Sequence, residues 1–134
     1  QQSLPGLTAL ISMYTLGIHH VSINVSDVAE AERFYCEVLG LEKLPRPDLG
    51  FAGAWLQTGA QQVHLLGKGS VEPLPEQHYA FLIDDADALL QRLESHNIAP
   101  RSVSEIAGVC RQIFVHDPSG NLVEFNQPLT LNDA

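Results

Sequence analysis

The sequence has little of what would mark several functional classes. Its only cysteines, Cys36 and Cys110, have no CxxC spacing, so they form neither a zinc knuckle nor a disulfide framework. Two lone thiols in a chain with an adequate core read as reduced, which points to the cytoplasm. Basic residues are scarce: 7 Lys and Arg stand against 16 Asp and Glu, a formal charge of −9. A field of that sign repels phosphate backbones and anionic lipid, so nucleic acid and membrane surfaces are not expected partners. No run approaches the roughly 18 apolar residues of a membrane span. Residues 4–16 are mostly apolar but lack a basic flank, which makes them a poor signal peptide. Met13 is a candidate start, with residues 1–16 read as an N-terminal extension. There is no Gly-x-Ser-x-Gly, no glycine-rich phosphate loop, and no sequence context that activates a cysteine. Nucleophilic triads and nucleotide phosphate cradles are thereby set aside.

What is present is a core and a repeat. At 134 residues and 45 % hydrophobic composition the chain is one ordinary domain with enough apolar side chains to fold unaided. The 17 % charged fraction is low, so much of the surface is expected inside or under a partner. Residues 17–25 alternate and are rich in β-branched types, which predicts a strand with His20, Ser22 and Asn24 on a polar face. His19, Val21, Ile23 and Val25 fall on the opposite, apolar face. Ser26 and Asp27 supply a cap for a helix over 29–39 that Gly40 stops. Strands are predicted over 41–44, 51–57 and 61–66. The same order then recurs: a strand over 77–83, caps at Asp84 and Asp85, a helix over 86–96 ended by Asn97, and strands over 98–103, 110–116 and 121–126. The chain thus reads as βαβββ twice, modules 17–66 and 77–128, joined by a linker at 67–76 and followed by a tail at 129–134.

The repeat sets four side chains in correspondence. A step of 58 residues leads from His20 to His78, and a step of 60 from His64 to Glu124. Three imidazoles and a carboxylate suit one divalent ion of zinc, nickel, iron or manganese, held where the modules meet. The bland readings weigh against other candidates. His96 lies in the last turn of a helix, where a cation suits the dipole, and His116 ends a strand beside a turn. Asp84, Asp85 and Asp87 open a helix and act as caps and dipole partners. Trp55 and Phe51 read as sheet-core aromatics. Gln112 and Phe114 are expected on the cavity side of their strand, and Ser22 and Asn24 as donors that orient ligands.

These residues resemble a known superfamily. His20-Val21, Asp27…Phe34-Tyr35…Val38-Leu39-Gly40-Leu41, His78…Phe81 and Asp117-Pro118-Ser119-Gly120-Asn121…Glu124 are similar to the vicinal-oxygen-chelate proteins, from residue 17 to 128. That group includes glyoxalase I, fosfomycin-resistance proteins, extradiol dioxygenases, methylmalonyl-CoA epimerase and bleomycin-resistance proteins. The resemblance implies an α+β fold in which two βαβββ modules form curled mixed sheets around a metal-binding cavity. It implies His20, His64, His78 and Glu124 as metal ligands, although a histidine at position 64 departs from the glutamate that glyoxalase I would place there. It further implies a homodimer, a small substrate with two adjacent oxygens, and Glu124 as a base that swings off the metal. Glyoxalase-like lyase or isomerase activity is the first expectation. An iron dioxygenase using His20, His78 and Glu124 is the second, and an antibiotic-binding protein of the bleomycin-resistance kind is the rival without catalysis.

Overall fold

The computed structural model describes residues 14–129. The first module runs β1 (His20–Val25), α1 (Val28–Glu32) continuing into a wider π-helical stretch (Arg33–Val38), β2 (Glu42–Leu44), β3 (Gly53–Thr58) and β4 (Gln61–Gly67). The second runs β5 (His78–Leu82), α2 (Ala86–Ser95), β6 (Ser102–Ile106), β7 (Cys110–His116) and β8 (Leu122–Pro128). Each module makes a four-stranded mixed sheet, ordered β1-β4-β3-β2 and β5-β8-β7-β6. In both, the first strand pairs in parallel with the last and the other pairings are antiparallel. The architecture is α+β, two similar modules with curled sheets, as expected.

The local rules that build the two modules are the same. Asp27 and Asp85 carboxylates accept from the backbone N–H of Glu30 and Ala88, at 3.1 and 3.0 Å, and so cap the two helices. Both helices end on a left-handed residue, Gly40 at φ +85° and Asn97 at φ +58°. The first helix departs from the expected regular α-helix because its second half is wound wider. That widening turns the adjacent Phe34 and Tyr35 both inward, where they are 5 % and 0 % exposed. Odd-numbered residues of the first sheet (Val25, Val63, Leu65) pack under this helix with Ala54 and Leu56, and Phe81, Val123, Phe125, Ile113 and Val115 do the same beneath Ala86 and Leu93. Each of these Val, Leu, Ile and Phe side chains contributes roughly 1.5–3 kcal/mol by leaving water. The opposite faces of the sheets carry the polar candidates together with Trp55 and Phe114.

The turn at 117–120 ties the modules together. Asp117, 4 % exposed, accepts from the N–H groups of Ser119 and Asn121, from Nδ2 of Asn121, and from the hydroxyl of Tyr35 at 2.7 Å. Ser119 Oγ accepts from the Ser26 N–H at 2.9 Å, and Asn121 Nδ2 donates to the Asn24 carbonyl at 2.8 Å. A buried carboxylate is tolerated here because four donors replace its water.

One strand is displaced from its expected place. The sequence pattern suggested 98–103, whereas β6 spans Ser102–Ile106. Pro100 has no N–H to offer a ladder, and the Ile98 N–H instead closes the end of α2 on the Leu93 carbonyl. The register is set from the other end by a three-residue turn, with Gly108 at φ +75° and Val109 N–H bonded to Ile106. The expectations for residues 1–13, including Met13, and for 130–134 of the tail lie outside the described residues. Tyr14 and Leu16, from the end of the proposed extension, are 90 % and 83 % exposed. Among the described residues no helix is long and apolar enough to cross a membrane.

Candidate metal centre

The strand register places the four ligand candidates in equivalent positions. His20 pairs with Gln62 and His78 with Leu122 across their parallel ladders. His64 and Glu124 each stand two residues beyond that partner, on the same face. The spacing of the sequence repeat is therefore a repeat of place.

In the second module the pair is in direct contact. His78 Nε2 lies 3.0 Å from Glu124 Oε1, and His78 Nδ1 donates to the Glu76 carbonyl at 2.8 Å. That second bond fixes the ring so that Nε2 faces the carboxylate. Gln112 Nε2 and Asn126 Nδ2 both donate to Glu124 Oε2, at 3.1 and 2.9 Å. Burial pushes the Glu124 carboxyl up. The hydrogen bonds from Asn126, Gln112 and His78, with the charge of His78, outweigh burial and leave it below the usual carboxylate range. Gln112 and Phe114 lie on the sheet face that carries Glu124, Phe114 meeting the His78 ring edge-on at 5.2 Å.

In the first module the pair is stacked. The rings of His20 and His64 are 4.0 Å apart and 14° from parallel, and Trp55 lies on His64's ring at 4.8 Å and 15°. His64 Nε2 donates to Gln62 Oε1 at 2.8 Å, which leaves Nδ1 as its nitrogen with a free lone pair. Burial first, then the nearby His20, His19 and Arg46, hold the His64 imidazole below its ordinary value. A ligating imidazole aims its lone pair within the ring plane at an ion about 2.0–2.1 Å away. Nearly parallel planes this far apart do not meet near either nitrogen. For both rings to reach one ion, one of them has to turn. His20 is the exposed ring, whereas His64 is covered on one face by Trp55.

The structure thus brings the candidates together as two pairs. Among the described residues no group of three or more His, Cys, Asp or Glu side chains is gathered where one ion could be held. The donor chemistry of the second pair nonetheless fits a divalent ion, which would replace the proton shared between His78 Nε2 and Glu124 Oε1, while Nδ1 and Oε2 are already bonded. Ser22 and Asn24 line a groove of about 460 Å³ at the seam between the modules, together with His78 and Leu74. Asn24's part in bonding there is its backbone carbonyl.

Three residues are placed differently from their sequence reading. Trp55 is on the site face as the outer layer of the histidine stack, because β3 alternates and Ala54 and Leu56 take the core face. Phe51 is 44 % exposed, beneath the guanidinium of Arg46. His19 precedes β1 and is not held to its apolar face; its Nδ1 is 2.9 Å from Nδ1 of His20.

Comparison with known proteins supplies the context. The profile of the Glyoxalase/Bleomycin resistance protein/Dioxygenase superfamily matches residues 17–125. Glyoxylase I 4 of Arabidopsis thaliana is 32 % identical over 123 residues, 84 % of this chain and 71 % of that protein. The crystal structure of a glyoxalase family protein from Bacillus anthracis superposes with a TM-score of 0.80 at 28 % identity, covering 89 % of this chain and all of that one. The fosfomycin resistance protein FosX from Listeria monocytogenes, solved as a point mutant with Mn(II) and a dihydroxypropylphosphonic acid, shares the fold. Its TM-score is 0.73 at 18 % identity, with 87 % of this chain and 95 % of that one covered.

Proposed function

The chain belongs to the glyoxalase/bleomycin resistance/dioxygenase superfamily, and from that premise we propose a metal-dependent, glyoxalase-like lyase or isomerase. Its substrate is a small molecule with two adjacent oxygens. The observation that carries this reading is the His78–Glu124 pair, 3.0 Å apart and braced by Gln112 and Asn126. His78 and Glu124, with His20 and His64, would hold one divalent ion of zinc, nickel, iron or manganese. When bound, the ion supplies Lewis-acid stabilisation of negative charge on the substrate oxygens. Glu124 then moves the proton. Its carboxylate is held ionised and oriented by two amide donors, so it can accept a proton from the carbon next to the substrate carbonyl and return it. Gln112 and Asn126 keep Oε2 in place while Oε1 is free to shift away from His78.

The two half-sites are completed between two copies of the chain, His20 and His64 of one facing His78 and Glu124 of another. The separation of the pairs within one chain supports this arrangement. So do the exposed apolar Ile18 and Leu82, 65 % and 79 % exposed at a groove along the module seam. The free thiols Cys36 and Cys110 suit a reducing cytoplasm.

The test is a mixing experiment. Inactive His20→Ala and Glu124→Gln dimers, exchanged and assayed with 2-oxoaldehyde–thiol adducts, should regain activity, because mixed dimers carry one intact site. Full metal content in a His20→Ala/His78→Ala variant would refute the ligand assignment. A second reading draws on the stacked rings. If only one of His20 and His64 ligates, the set becomes two histidines and a carboxylate, the facial arrangement of iron dioxygenases. Oxygen uptake with catechols under iron loading distinguishes it.

A further inference from the structure

We infer that His19 is a positioning residue for His20: it accepts the hydrogen of His20 Nδ1 and so leaves Nε2 as the nitrogen with a lone pair for a divalent ion. The inference rests on the functional reading above, since it concerns a ligand of that same site. His19 Nδ1 lies 2.9 Å from His20 Nδ1. The two rings meet edge-on, their planes 88° apart and their centroids 5.2 Å apart. That separation is the contact distance plus roughly a ring radius on either side, so the line between the nitrogens runs through both rings. A hydrogen on one nitrogen then points straight at the lone pair of the other, the linear arrangement a hydrogen bond prefers. The backbone beneath is held, because the His19 carbonyl accepts from the Gln62 N–H at 3.1 Å. Gly17, at φ +130°, turns the chain two residues earlier, and β1 is the edge strand of its sheet. No strand outside β1 in that sheet therefore holds the His19 ring to the apolar face.

The equivalent histidine of the second module has the same arrangement. His78 Nδ1 donates to the Glu76 carbonyl two residues before it, and Nε2 faces Glu124. In the first module the acceptor stands one residue before the histidine and is a side chain. Both modules thus engage the same ring nitrogen from the N-terminal side of the strand. A ligating imidazole is neutral and carries its hydrogen on the nitrogen that faces away from the ion, and the acceptor of that hydrogen fixes the tautomer. Among the described residues, the one hydrogen-bonded contact of the His20 ring is with His19. The opposite assignment, with His19 as donor, would place the His20 hydrogen on Nε2 and close that nitrogen to an ion. The tautomer does not depend on the ring plane. It is kept when His20 turns out of its stack on His64, and the exposed His19 ring has room to follow.

The test uses the full chain, freed of metal by chelator, and two substitutions that separate the acceptor from the ring. His19→Phe keeps a ring and loses the acceptor. His19→Asn loses the ring and keeps an oxygen where Nδ1 stood. The position is exposed, so both variants should fold. Zinc affinity is measured by competition with a chelating dye. His19→Phe should weaken zinc by about tenfold, the low end for a lost partner of a ligand, and His19→Asn should recover most of that loss. Zinc held by His19→Phe as tightly as by the native chain, or no recovery in His19→Asn, would overturn the inference. So would a loss in His19→Asn as large as in His20→Ala, which would make His19 itself a ligand. Heteronuclear NMR of the imidazole nitrogens reads the tautomer directly, in the metal-free chain at about pH 8.5, where an ordinary imidazole is neutral. His20 should carry its hydrogen on Nδ1 in the native chain and shift it toward Nε2 in His19→Phe. A native His20 with its hydrogen on Nε2 would overturn the inference. The same spectrum tells the two readings apart. A native chain that takes up no zinc, yet loses the Nδ1 tautomer only in His19→Phe, would refute the metal reading and leave the His19 bond standing.

Discussion

The two modules share one backbone plan and hold their site residues by different forces. In both, the second candidate stands two residues past the ladder partner of the first. Yet the first half is an aromatic stack of His20, His64 and Trp55, while the second is a hydrogen-bonded carboxylate–imidazole pair. Stacking fixes ring planes and leaves lone pairs pointing along them. Hydrogen bonding fixes the lone pairs themselves. Duplication therefore delivers equivalent positions, and the residue types at those positions decide whether a position is ready to ligate or must first rearrange. The second module is the prepared half.

The greatest change should come from the prepared half. Glu124→Gln should lower turnover by a factor on the order of 10² to 10⁴, the usual worth of a general base. Val123 and Phe125 face the core, so the fold should survive, with a thermal midpoint within a few degrees. A shift of 1 kcal/mol would itself move it about 4 °C. Normal turnover in this variant would remove the carboxylate from the chemistry.

Metal affinity should separate the two halves further. His78→Ala is expected to weaken uptake by more than about 100-fold, and Gln112→Ala, which frees one bond to Glu124, by about tenfold. His64→Ala should cost less than His78→Ala, because its ring is committed to the stack and to Gln62. Competition with a chelating dye measures all three. Equal losses at His64 and His78 would show that the stack opens and that both halves ligate alike.

The mildest change concerns the junction between the halves. Tyr35→Phe removes the 2.7 Å donor to buried Asp117 and should cost about 1.5–3 kcal/mol. Burial first, then Tyr79 and Asp117, push the Tyr35 hydroxyl well above the ordinary tyrosine value. A raised folded value means that its stabilising contribution is whole below about pH 10, where unfolded tyrosine begins to ionise. It is then lost as pH rises from there toward the folded value. Thermal midpoints should therefore fall more steeply between about pH 9.5 and 11 in the native chain than in Tyr35→Phe. Parallel curves would mean that the Tyr35 hydroxyl does not couple to folding.

Much of this was legible in the residues. Capping aspartates, the left-handed Gly40 and Asn97, and the alternating faces of β1 are local features, and local physics suffices to read them. The displaced β6 was not legible, because every residue of that strand is exposed and no burial pattern marks it. Trp55 was misread because an aromatic in a strand has the same signature on either face, and Phe51 because β3 begins two residues after it. Arg46 left no signal: the loop between β2 and β3 folds it back over Phe51 and Gly53.

The two-module α+β architecture, and the equivalence of His20 with His78 and of His64 with Glu124, follow from the order of residues alone. Periodicity and repeat spacing are properties of the chain, and strand alternation turns them directly into shared faces. That His20 and His64 stack while His78 and Glu124 bond emerges only on folding. Ring planes and donor directions arise from residues distant along the chain, which meet only once the sheets have formed.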